Sequence, residues 1–486
     1  MIQFSLEYAE KNFEEILKLA LSDKEIVIPA GRGKNIKISS EKPKKIQISS
    51  KKIYSIDNLY ASTLQMKNPP FISNEKLPRT VANIRNQLFF EAKKYPDRAF
   101  DGLYRFLHNP DILKASLERI FFKHSGAKVA KEIQSKTYRD FLSEIKQELE
   151  SRKYKPQFSK QIFFPKKEEG AFREISLYDL KDKVIQTSFY LVLEPLFEAK
   201  FLDCSYGFRS GRTRDDAALS LKKYIRSGHT FIYDADIRSC FDSIPHKPLV
   251  NITNKRIADK HVLEVLETIL AAPKRENEFS MEKRELSRGI PQGGILSPLL
   301  ANIYLHEFDN FFYSKNAVLK ATHSRMLRYA DDFVVASRHH TEEQIKLIND
   351  YLNNELLLDI HPDKTRLVNL KQEGERVNFL GYSISLSDKN SHSSIQISPA
   401  NSAIEKEKER LSVLLYDTYK NADIPELLEI VLERLESWRN QYKLSKKDYM
   451  YKPLYDYIQT ELTQILRYRM AGFRQSGDDE PNGIVL

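Results

Sequence analysis

The sequence predicts an α+β fold, in which helical regions precede and follow a central region that mixes strands with helices. Between residues 80 and 230, and again from about 400 onward, apolar residues recur at spacings of three and four, which indicates amphipathic helices. Residues 230–395 instead alternate short β-prone runs with helical ones. Apolar residues make up 41% of the 486-residue chain, including 25 Tyr and 27 Phe. This composition allows a sizeable core and excludes a largely disordered protein.

The first 85 residues differ from the rest and are expected to form a small N-terminal α/β module of unknown role. Residues 1–19 carry acids within an apolar stretch, which predicts an amphipathic helix rather than a signal peptide. The runs I-K-I-S-S (36–40) and I-Q-I-S-S (46–50) predict two short strands joined by a Pro-containing turn. Eight basic residues and one acid lie between positions 30 and 54, which fits either a phosphate-binding ribbon or a solvated hairpin.

Further along the chain, helix and strand signals follow one another in order. Ser135 is a plausible N-cap for a helix that follows it. Residues 161–177 read as two strands joined by a polar, Gly-containing turn. From about 400 the chain returns to helices, which contain the lone Trp438 as an expected core anchor. Residues 471–486 are polar and predict a tail.

Two adjacent acids occupy the centre of the segment R-M-L-R-Y-A-D-D-F-V-V-A-S (325–337). Apolar, β-prone residues lie on both sides of Asp331 and Asp332, which predicts a hairpin with a pair of carboxylates at its tip. Burying a pair of ionised acids between apolar strands costs on the order of several kcal/mol unless a cation neutralises them. The hairpin therefore predicts a cation site.

A second acidic strand, F-I-Y-D-A-D-I (231–237), strengthens this interpretation. Its alternation places Asp234 and Asp236 on one face. Together with the hairpin acids, Asp236 completes a set of three carboxylates that can hold two divalent ions for phosphoryl transfer. Asp234 is expected to support the local fold instead. Oxygen ligands favour Mg²⁺.

A glycine-rich segment, R-G-I-P-Q-G-G-I-L-S-P-L-L (288–300), follows these acids and precedes the hairpin. Its glycines allow the backbone to approach a flat ligand closely. Ser297 and Pro298 are suited to the start of a helix, with Pro in its first turn. An ordinary turn before a core helix would show the same residues, so this segment alone leaves both interpretations open.

Charge and cysteine content narrow the class of partner and compartment. The chain has 77 Lys and Arg against 67 Asp and Glu, a net charge of +10, which predicts attraction to polyanions. Cys204 and Cys240 belong to no metal-binding spacing, so a zinc site and a disulfide framework are not expected. No uncharged apolar run reaches the length of a membrane span, which is roughly 18 residues. We expect a cytoplasmic protein without a membrane partner.

In their order, these blocks resemble the reverse transcriptases of the group II intron class. The resemblance spans roughly residues 95–470 and includes segments before and after the acids. The matching segments are K-D-K-V-I-Q (181–186), C-S-Y-G-F-R-S-G-R (204–212), D-I-R-S-C-F-D-S-I (236–244), G-I-P-Q-G-G-I-L-S-P (289–298), Y-A-D-D (329–332), L-D-I-H-P-D-K-T (358–365) and F-L-G-Y (379–382). It implies a right-hand polymerase with fingers at 86–229, a palm with an antiparallel sheet at 230–395 and a helical thumb at 396–470.

The resemblance also implies a role for each residue of the site. The catalytic residues would be Asp236, Asp331 and Asp332, which would bind two Mg²⁺ ions, with Mn²⁺ as a substitute, and Lys364, which would protonate the pyrophosphate leaving group. The nucleotide-binding residues would be Lys166 and Arg173 on the triphosphate, Phe241 as the steric gate against a ribose 2′-OH, and Gln292 under the nucleotide. Lys167 could exchange roles with Lys166. The primer grip would be Phe379, Leu380, Gly381 and Tyr382.

The implied activity is RNA-directed DNA synthesis, with dNTPs added to a primer 3′-OH on an RNA template. The primer would be DNA or RNA. Only about sixteen residues follow the last predicted helix, so we expect no DNA-binding or endonuclease domain, and thus a stand-alone enzyme. CRISPR adaptation or antiphage defence is the expected setting, with a dedicated noncoding RNA or Cas1/Cas2-type proteins as partners. The alternatives are an RNA-binding, maturase-like splicing cofactor and a template-independent or protein-primed DNA polymerase.

Overall fold

The computed structural model describes residues 2–3, 26–29, 35–38, 77–122, 135–157, 159–165, 172–272, 274–275, 287–314, 316–387, 394–419 and 424–475. These residues contain both helices and sheets, which confirms the predicted α+β class. The chain divides into two compact units, Asp57–Glu375 and the combination of Met1–Ile56 with Arg376–Leu486. Residues 376–395, assigned to the palm from the sequence, cluster with the second unit. No helix among the described residues is long and apolar enough to span a membrane.

The unit Asp57–Glu375 opens with helices, continues through a hairpin and then alternates helices with the strands of a larger sheet. Its helices are α1 (Arg79–Lys94), α2 (Tyr104–Leu107), α3 (Pro110–Phe122), α4 (Lys136–Glu150), α5 (Leu180–Glu198), α6 (Arg214–Arg226), α7 (Cys240–Ser243), α8 (His246–Asn254), α9 (Lys260–Leu270), α10 (Ser297–Phe312), α11 (Ala317–Ala321) and α12 (Glu342–Asp350), followed by a π turn (Tyr351–Glu355) and a 3₁₀ turn (Pro362–Lys364). Its strands are β4 (Ser159–Pro165), β5 (Phe172–Leu177), β6 (Phe231–Asp236), β7 (Lys274–Arg275), β8 (Arg325–Tyr329), β9 (Asp332–Ser337) and β10 (Arg366–Asn369).

Helix starts in this unit agree with the residues that cap them. The Ser135 hydroxyl accepts a hydrogen bond from the Tyr138 amide at the start of α4, which confirms the predicted cap. Thr213 and Asp216 form a reciprocal capping box on α6. Pro298 lies in the first turn of α10, where its missing N–H removes no helical hydrogen bond. Local sequence therefore fixes where these helices begin.

Helix α5 forms the middle of the helical core. Nearly every residue from Asp182 to Glu198 is buried, and helices α1, α2 and α3 pack against it. Each fully buried Leu or Phe side chain contributes about 1.5–3 kcal/mol. A helix that is buried on all sides needs packing partners around it, so the other helices surround α5.

The central sheet has the strand order β10-β6-β9-β8 and is antiparallel throughout. Helix α10 packs behind it, with the Phe308 ring edge-on to Phe333 at 5.1 Å. A second sheet, β5-β4-β7, contains the predicted hairpin, in which β4 and β5 pair from Lys160–Leu177 to Pro165–Phe172. The predicted strands of 161–177, 231–237 and 325–337 are therefore confirmed.

The described residues of the second unit form two three-stranded sheets and three long helices. One sheet is β1 (Ile2–Gln3), β2 (Ile26–Pro29) and β3 (Asn35–Ile38), and the other is β11 (Val377–Phe379), β12 (Tyr382–Leu386) and β13 (Ile395–Pro399). The helices are α13 (Asn401–Tyr419), α14 (Ile424–Gln441) and α15 (Lys447–Gln475). The Trp438 side chain is 1% exposed and its indole N–H donates to the Met450 carbonyl at 3.1 Å, which confirms the core anchor.

The ends of the chain correct three expectations. Ile2–Gln3, at the start of the helix predicted over residues 1–19, pairs with β2 as a parallel strand, and residues 4–19 lie outside the described part. The predicted strand at 36–40 is present as β3, but its partner in the structure is β2, and residues 46–50 lie outside the described part. Helix α15 continues through Gln475, past the predicted start of the tail at 471.

Candidate active site

Three carboxylates lie together at one end of the central sheet. Asp236 is the last residue of β6 and pairs in register with Asp332, the first residue of β9. Asp331 occupies the two-residue turn between β8 and β9. Antiparallel partners lie only about 4.5–5.5 Å apart, so this register holds two acids side by side. The structure thus brings together the three predicted catalytic acids.

The turn that carries Asp331 is strained and held from behind. Ala330 has φ 59°, in the left-handed region that residues other than Gly seldom adopt. The buried Arg328 side chain donates to the Ala330 carbonyl at 2.9 Å. Gly207 packs so closely that a Cβ there would overlap the Ala330 backbone nitrogen. Strain of this kind persists only where surrounding contacts fix it, and it concentrates at functional sites.

The electrostatics of the acids indicate an excess of negative charge. Burial, together with the charges of Asp236, Asp331 and Asp234, raises the pKa of Asp332 to about 7. Burial also raises the pKa of Asp331, with the charge of Asp236 adding to the effect. Like charges held together in a half-buried site disfavour ionisation unless a cation joins them. The cluster therefore has the electrostatic character of a cation site.

The chemistry of these acids fits Mg²⁺, although their side chains are not arranged as a coordination shell. Hard carboxylate oxygens are the ligands that Mg²⁺ prefers. Within the described residues, no three His, Cys, Asp or Glu side chains are grouped in an arrangement that holds a metal ion. Instead, the Lys364 ammonium lies 3.5 Å from an oxygen of Asp236. The donor set is therefore present, with a lysine beside one of its members.

Lys364 reaches the acids from the 3₁₀ turn that precedes β10. The His361 amide donates to the Asp236 carbonyl at 2.8 Å, which fixes this turn against the end of β6. The Lys364 side chain is 53% exposed, so its charge is accessible from solvent. Arg366, two residues on, lies 3.6 Å from Asp234. Burial raises the pKa of Asp234 to about 6 in spite of this arginine.

Of the two predicted triphosphate ligands, the structure describes one. Arg173 is exposed on β5 and pairs across the hairpin with Phe164. Burial raises the pKa of Asp331, and the charge of Arg173 opposes that rise, so the arginine lies within electrostatic range of the acids. Lys166 and Lys167 fall in the connection between β4 and β5, outside the described residues.

Backbone hydrogen bonds fix Phe241 next to the glycine-rich segment and fix Gln292 within it. The Phe241 carbonyl accepts from the Ile290 amide at 2.7 Å. The Gln292 carbonyl accepts from the Ser176 amide at 2.7 Å, and its side-chain amide donates to Asp242 at 3.4 Å. These contacts tie the segment both to the short helix α7 and to the β4–β5 hairpin. The predicted nucleotide-binding residues therefore belong to connected elements.

The four predicted primer-grip residues form a tight hairpin in the second unit. Leu380 and Gly381 make its turn with φ 53° and 81°, the positive values that two-residue hairpin turns favour. Phe379 and Tyr382 are 2% and 0% exposed, and the Tyr382 ring lies 5.3 Å from that of Tyr442. Their rings therefore stabilise the turn, and the partly exposed residues of the predicted grip are Leu380 and Gly381.

A buried polar network behind the hairpin was missed from the sequence. Arg328 donates to both oxygens of Asp309, at 2.8 and 2.6 Å, and to Asn302 and Ser205, each at 2.9 Å. Asn302 in turn donates to the Gly207 carbonyl at 2.8 Å. An arginine at an inward position of a strand, three residues before the acids, was the available signal.

An antiparallel sheet with three acids at one end, connected through the glycine-rich segment to a two-stranded hairpin, fits a nucleic acid polymerase domain. Residues 164–384 match the family described as reverse transcriptase (RNA-dependent DNA polymerase). These residues match that family, which confirms the reverse transcriptase resemblance predicted from the motifs.

Two curated proteins and one solved structure show the extent of the similarity. The group II intron-encoded protein LtrA of Lactococcus lactis subsp. cremoris is 28% identical, over 59% of this chain and 57% of LtrA. Protein YkfC of Escherichia coli strain K12 is 28% identical, over 59% of this chain and 84% of YkfC. The chain thus spans less than two thirds of the length of LtrA. A telomerase structure from Candida albicans has 15% identity and a TM-score of 0.39, covering 68% of this chain and 62% of that one, too low a score to carry an argument.

Proposed function

We propose that this chain is an RNA-directed DNA polymerase that adds dNTPs to a primer 3′-OH by two-metal phosphoryl transfer. The observation that carries the proposal is the cluster of three acids at the end of a reverse-transcriptase sheet, where burial and mutual repulsion raise the pKa of Asp332 to about 7. A structural role alone would leave these acids as an uncompensated cost.

The acids Asp236, Asp331 and Asp332 would hold two Mg²⁺ ions, or Mn²⁺ in their place, which would supply positive charge at the attacking and leaving oxygens. The protein's own part is to place these carboxylates, through the pairing of Asp236 with Asp332 and the strained turn at Ala330. A preorganised site needs little rearrangement during the reaction, which lowers its barrier.

Three further groups would act on the nucleotide itself. Arg173, together with Lys166, would bind the triphosphate through fixed positive charge. Lys364, 3.5 Å from Asp236, would give a proton to the pyrophosphate leaving group as the bond to the α-phosphorus breaks. Gln292, held between β5 and α7, would contact the nucleotide from below.

Two elements would set specificity and position. Phe241 would occupy the volume that a ribose 2′-OH needs, which favours dNTPs. The turn at Leu380–Gly381 would contact the primer strand. The RNA template and the DNA or RNA primer would be attracted by the net charge of +10, so binding should weaken as salt increases.

A primer-extension assay on RNA and DNA templates, with Mg²⁺ and dNTPs, tests the proposal. We expect template-dependent product from the wild-type protein and a loss of about 1,000-fold or more in Asp331→Ala and in Asp332→Ala. The matched control is Asp350→Ala, which removes an exposed acid from the end of α12 and should leave activity unchanged.

Two other results of this assay would each support one of the alternative functions. Absent synthesis with retained RNA binding would instead support a maturase-like splicing cofactor. Product made without added template would support template-independent or protein-primed synthesis. Either result would contradict the proposed activity.

We further propose a cytoplasmic role in CRISPR adaptation or antiphage defence, with a noncoding RNA or Cas1/Cas2-type proteins as partners. This proposal depends on the group II-like resemblance. Phage challenge of cells that express the chain from its native locus tests it, with Asp331→Ala as the inactive comparison. Equal phage survival in both strains, together with unchanged spacer acquisition, would contradict it.

A further inference from the structure

Phe208 combines three unusual properties within the segment C-S-Y-G-F-R-S-G-R. Its side chain is 49% exposed, although a large aromatic ring is usually buried. Its backbone has φ 61°, in the left-handed region where a bulky residue is an outlier. Its ring lies edge-on to that of Phe241, with centroids 6.2 Å apart and an interplanar angle of 86°. Phe241 is the residue proposed above as the steric gate.

The backbone around Phe208 is fixed on both sides. Before it, Gly207 packs against the backbone of Ala330, and its carbonyl accepts from Asn302 at 2.8 Å. After it, the buried Arg209 guanidinium binds both oxygens of Glu198. A strained residue that is anchored on both sides points in one direction only, so the position of the Phe208 ring is a consequence of the fold.

The position of the ring relates Phe208 to the reacting centre. Phe208 follows the glycine that contacts the catalytic turn, and its ring meets the ring of Phe241, five residues after Asp236. Edge-to-face packing restricts rotation of the partner ring. Phe241 is only half-buried, so a neighbouring ring limits how far it can rotate.

We propose that Phe208 is a positioning residue for sugar discrimination, because it fixes the Phe241 ring in the place where that ring excludes a ribose 2′-OH. This inference rests on the proposed polymerase function and on the role of Phe241. The strain at Phe208 then has a function, since a relaxed backbone would direct its ring elsewhere.

The test compares kcat/KM for a dNTP and for the matching rNTP in single-nucleotide extension by the full-length protein. We expect Phe208→Ala to lower the dNTP preference by about tenfold, through faster rNTP addition, with dNTP addition nearly unchanged. Phe208→Tyr keeps the ring and should keep the wild-type preference. Phe208→Leu provides a second truncation if the alanine variant folds poorly, and Leu219→Ala, at an exposed site on α6, is the control.

A double-variant comparison tests whether Phe208 acts through Phe241. Phe241→Val should lower the preference strongly, and adding Phe208→Ala should then change it little, because the ring to be positioned is gone. Additive effects would show that Phe208 acts independently and would overturn the inference. So would equal losses for dNTP and rNTP in both Phe208→Ala and Phe208→Leu.

Failure of the underlying assignments gives different results. An unchanged preference in Phe241→Val would refute the gate and the inference with it, while leaving polymerase activity intact. A wild-type protein without templated synthesis would refute the proposed function itself. An altered preference in Phe241→Val with no change in either Phe208 truncation would refute only the inference.

Discussion

Two groups of charged side chains include residues of the β8–β9 hairpin, and their charges are balanced to different degrees. In the buried pair, Arg328 and Asp309 are both 0% exposed and joined by two hydrogen bonds. In the carboxylate cluster, Asp331 and Asp332 lie beside Asp236, and burial raises the pKa of both hairpin acids. The hairpin thus contributes Arg328 to a neutralised pair with Asp309 of α10, and two acids to a cluster with Asp236 of β6 that has excess negative charge.

The difference indicates separate roles, because the buried pair stabilises the fold and the carboxylate cluster is available for chemistry. Folding can place a full charge in the interior when a partner satisfies it, as Arg328 shows. Burial alone would raise the pKa of Asp309, but Arg328 outweighs it, so the pKa lies below its ordinary value. The carboxylate cluster has no comparable match, because Lys364 only partly opposes the repulsion on Asp332. Charge left uncompensated by the fold is available for a ligand.

Breaking the buried pair should have the largest effect on stability. Arg328→Met leaves Asp309 charged without its partner, so we expect a loss of about 3–5 kcal/mol in the free energy of unfolding, measured by urea denaturation. Arg325→Met, at the exposed start of the same strand, is the matched control and should change stability by less than about 0.5 kcal/mol. A loss below about 1 kcal/mol for Arg328→Met would contradict the comparison.

The pH dependence of the pair has a definite sign. Because the pKa of Asp309 is lowered in the folded state, the stability it contributes is present above the ordinary value of 3.8 and is lost as pH falls through the folded-state value. Asp309→Asn should therefore cost most at neutral pH, and the difference from wild type should shrink below about pH 4. A difference that grows on acidification would contradict this assignment.

Lys364 belongs to neither group of charges, because it is exposed to solvent and yet lies 3.5 Å from Asp236. Lys364→Ala should lower kcat by roughly 10- to 100-fold with little change in KM, if the lysine supplies a proton to the leaving group. Lys364→Arg keeps the positive charge but holds its proton more tightly, so it should restore only part of the rate. Lys371→Ala, at an exposed site after β10, is the control. Full rescue by arginine would show that charge alone is required.

The sequence anticipated the carboxylate cluster better than the buried pair, and the reason is physical. The acids Asp236, Asp331 and Asp332 stand in strand and turn patterns with local signals, namely alternation and apolar flanks. Arg328 and Asp309 meet only through the packing of β8 on α10. The strand pattern of R-M-L-R-Y places Arg328 at an inward position, but nothing local identifies Asp309 as its partner. Pairing between distant segments, like the burial of Phe379 and Tyr382, depends on tertiary contacts that periodicity does not encode.

The smallest expected effect sharpens the comparison most directly, because it asks whether the carboxylate cluster costs stability. Asp332→Asn removes one of three like charges, so in buffer with EDTA we expect the variant to be more stable than wild type by about 1 kcal/mol in thermal unfolding. Asp140→Asn, an exposed acid on α4, should change stability by less than about 0.5 kcal/mol. Added Mg²⁺ should stabilise the wild type more than the variant. If Asp332→Asn instead destabilised the protein as Arg328→Met is expected to, the acids would be structural and the distinction between the two charge groups would fail.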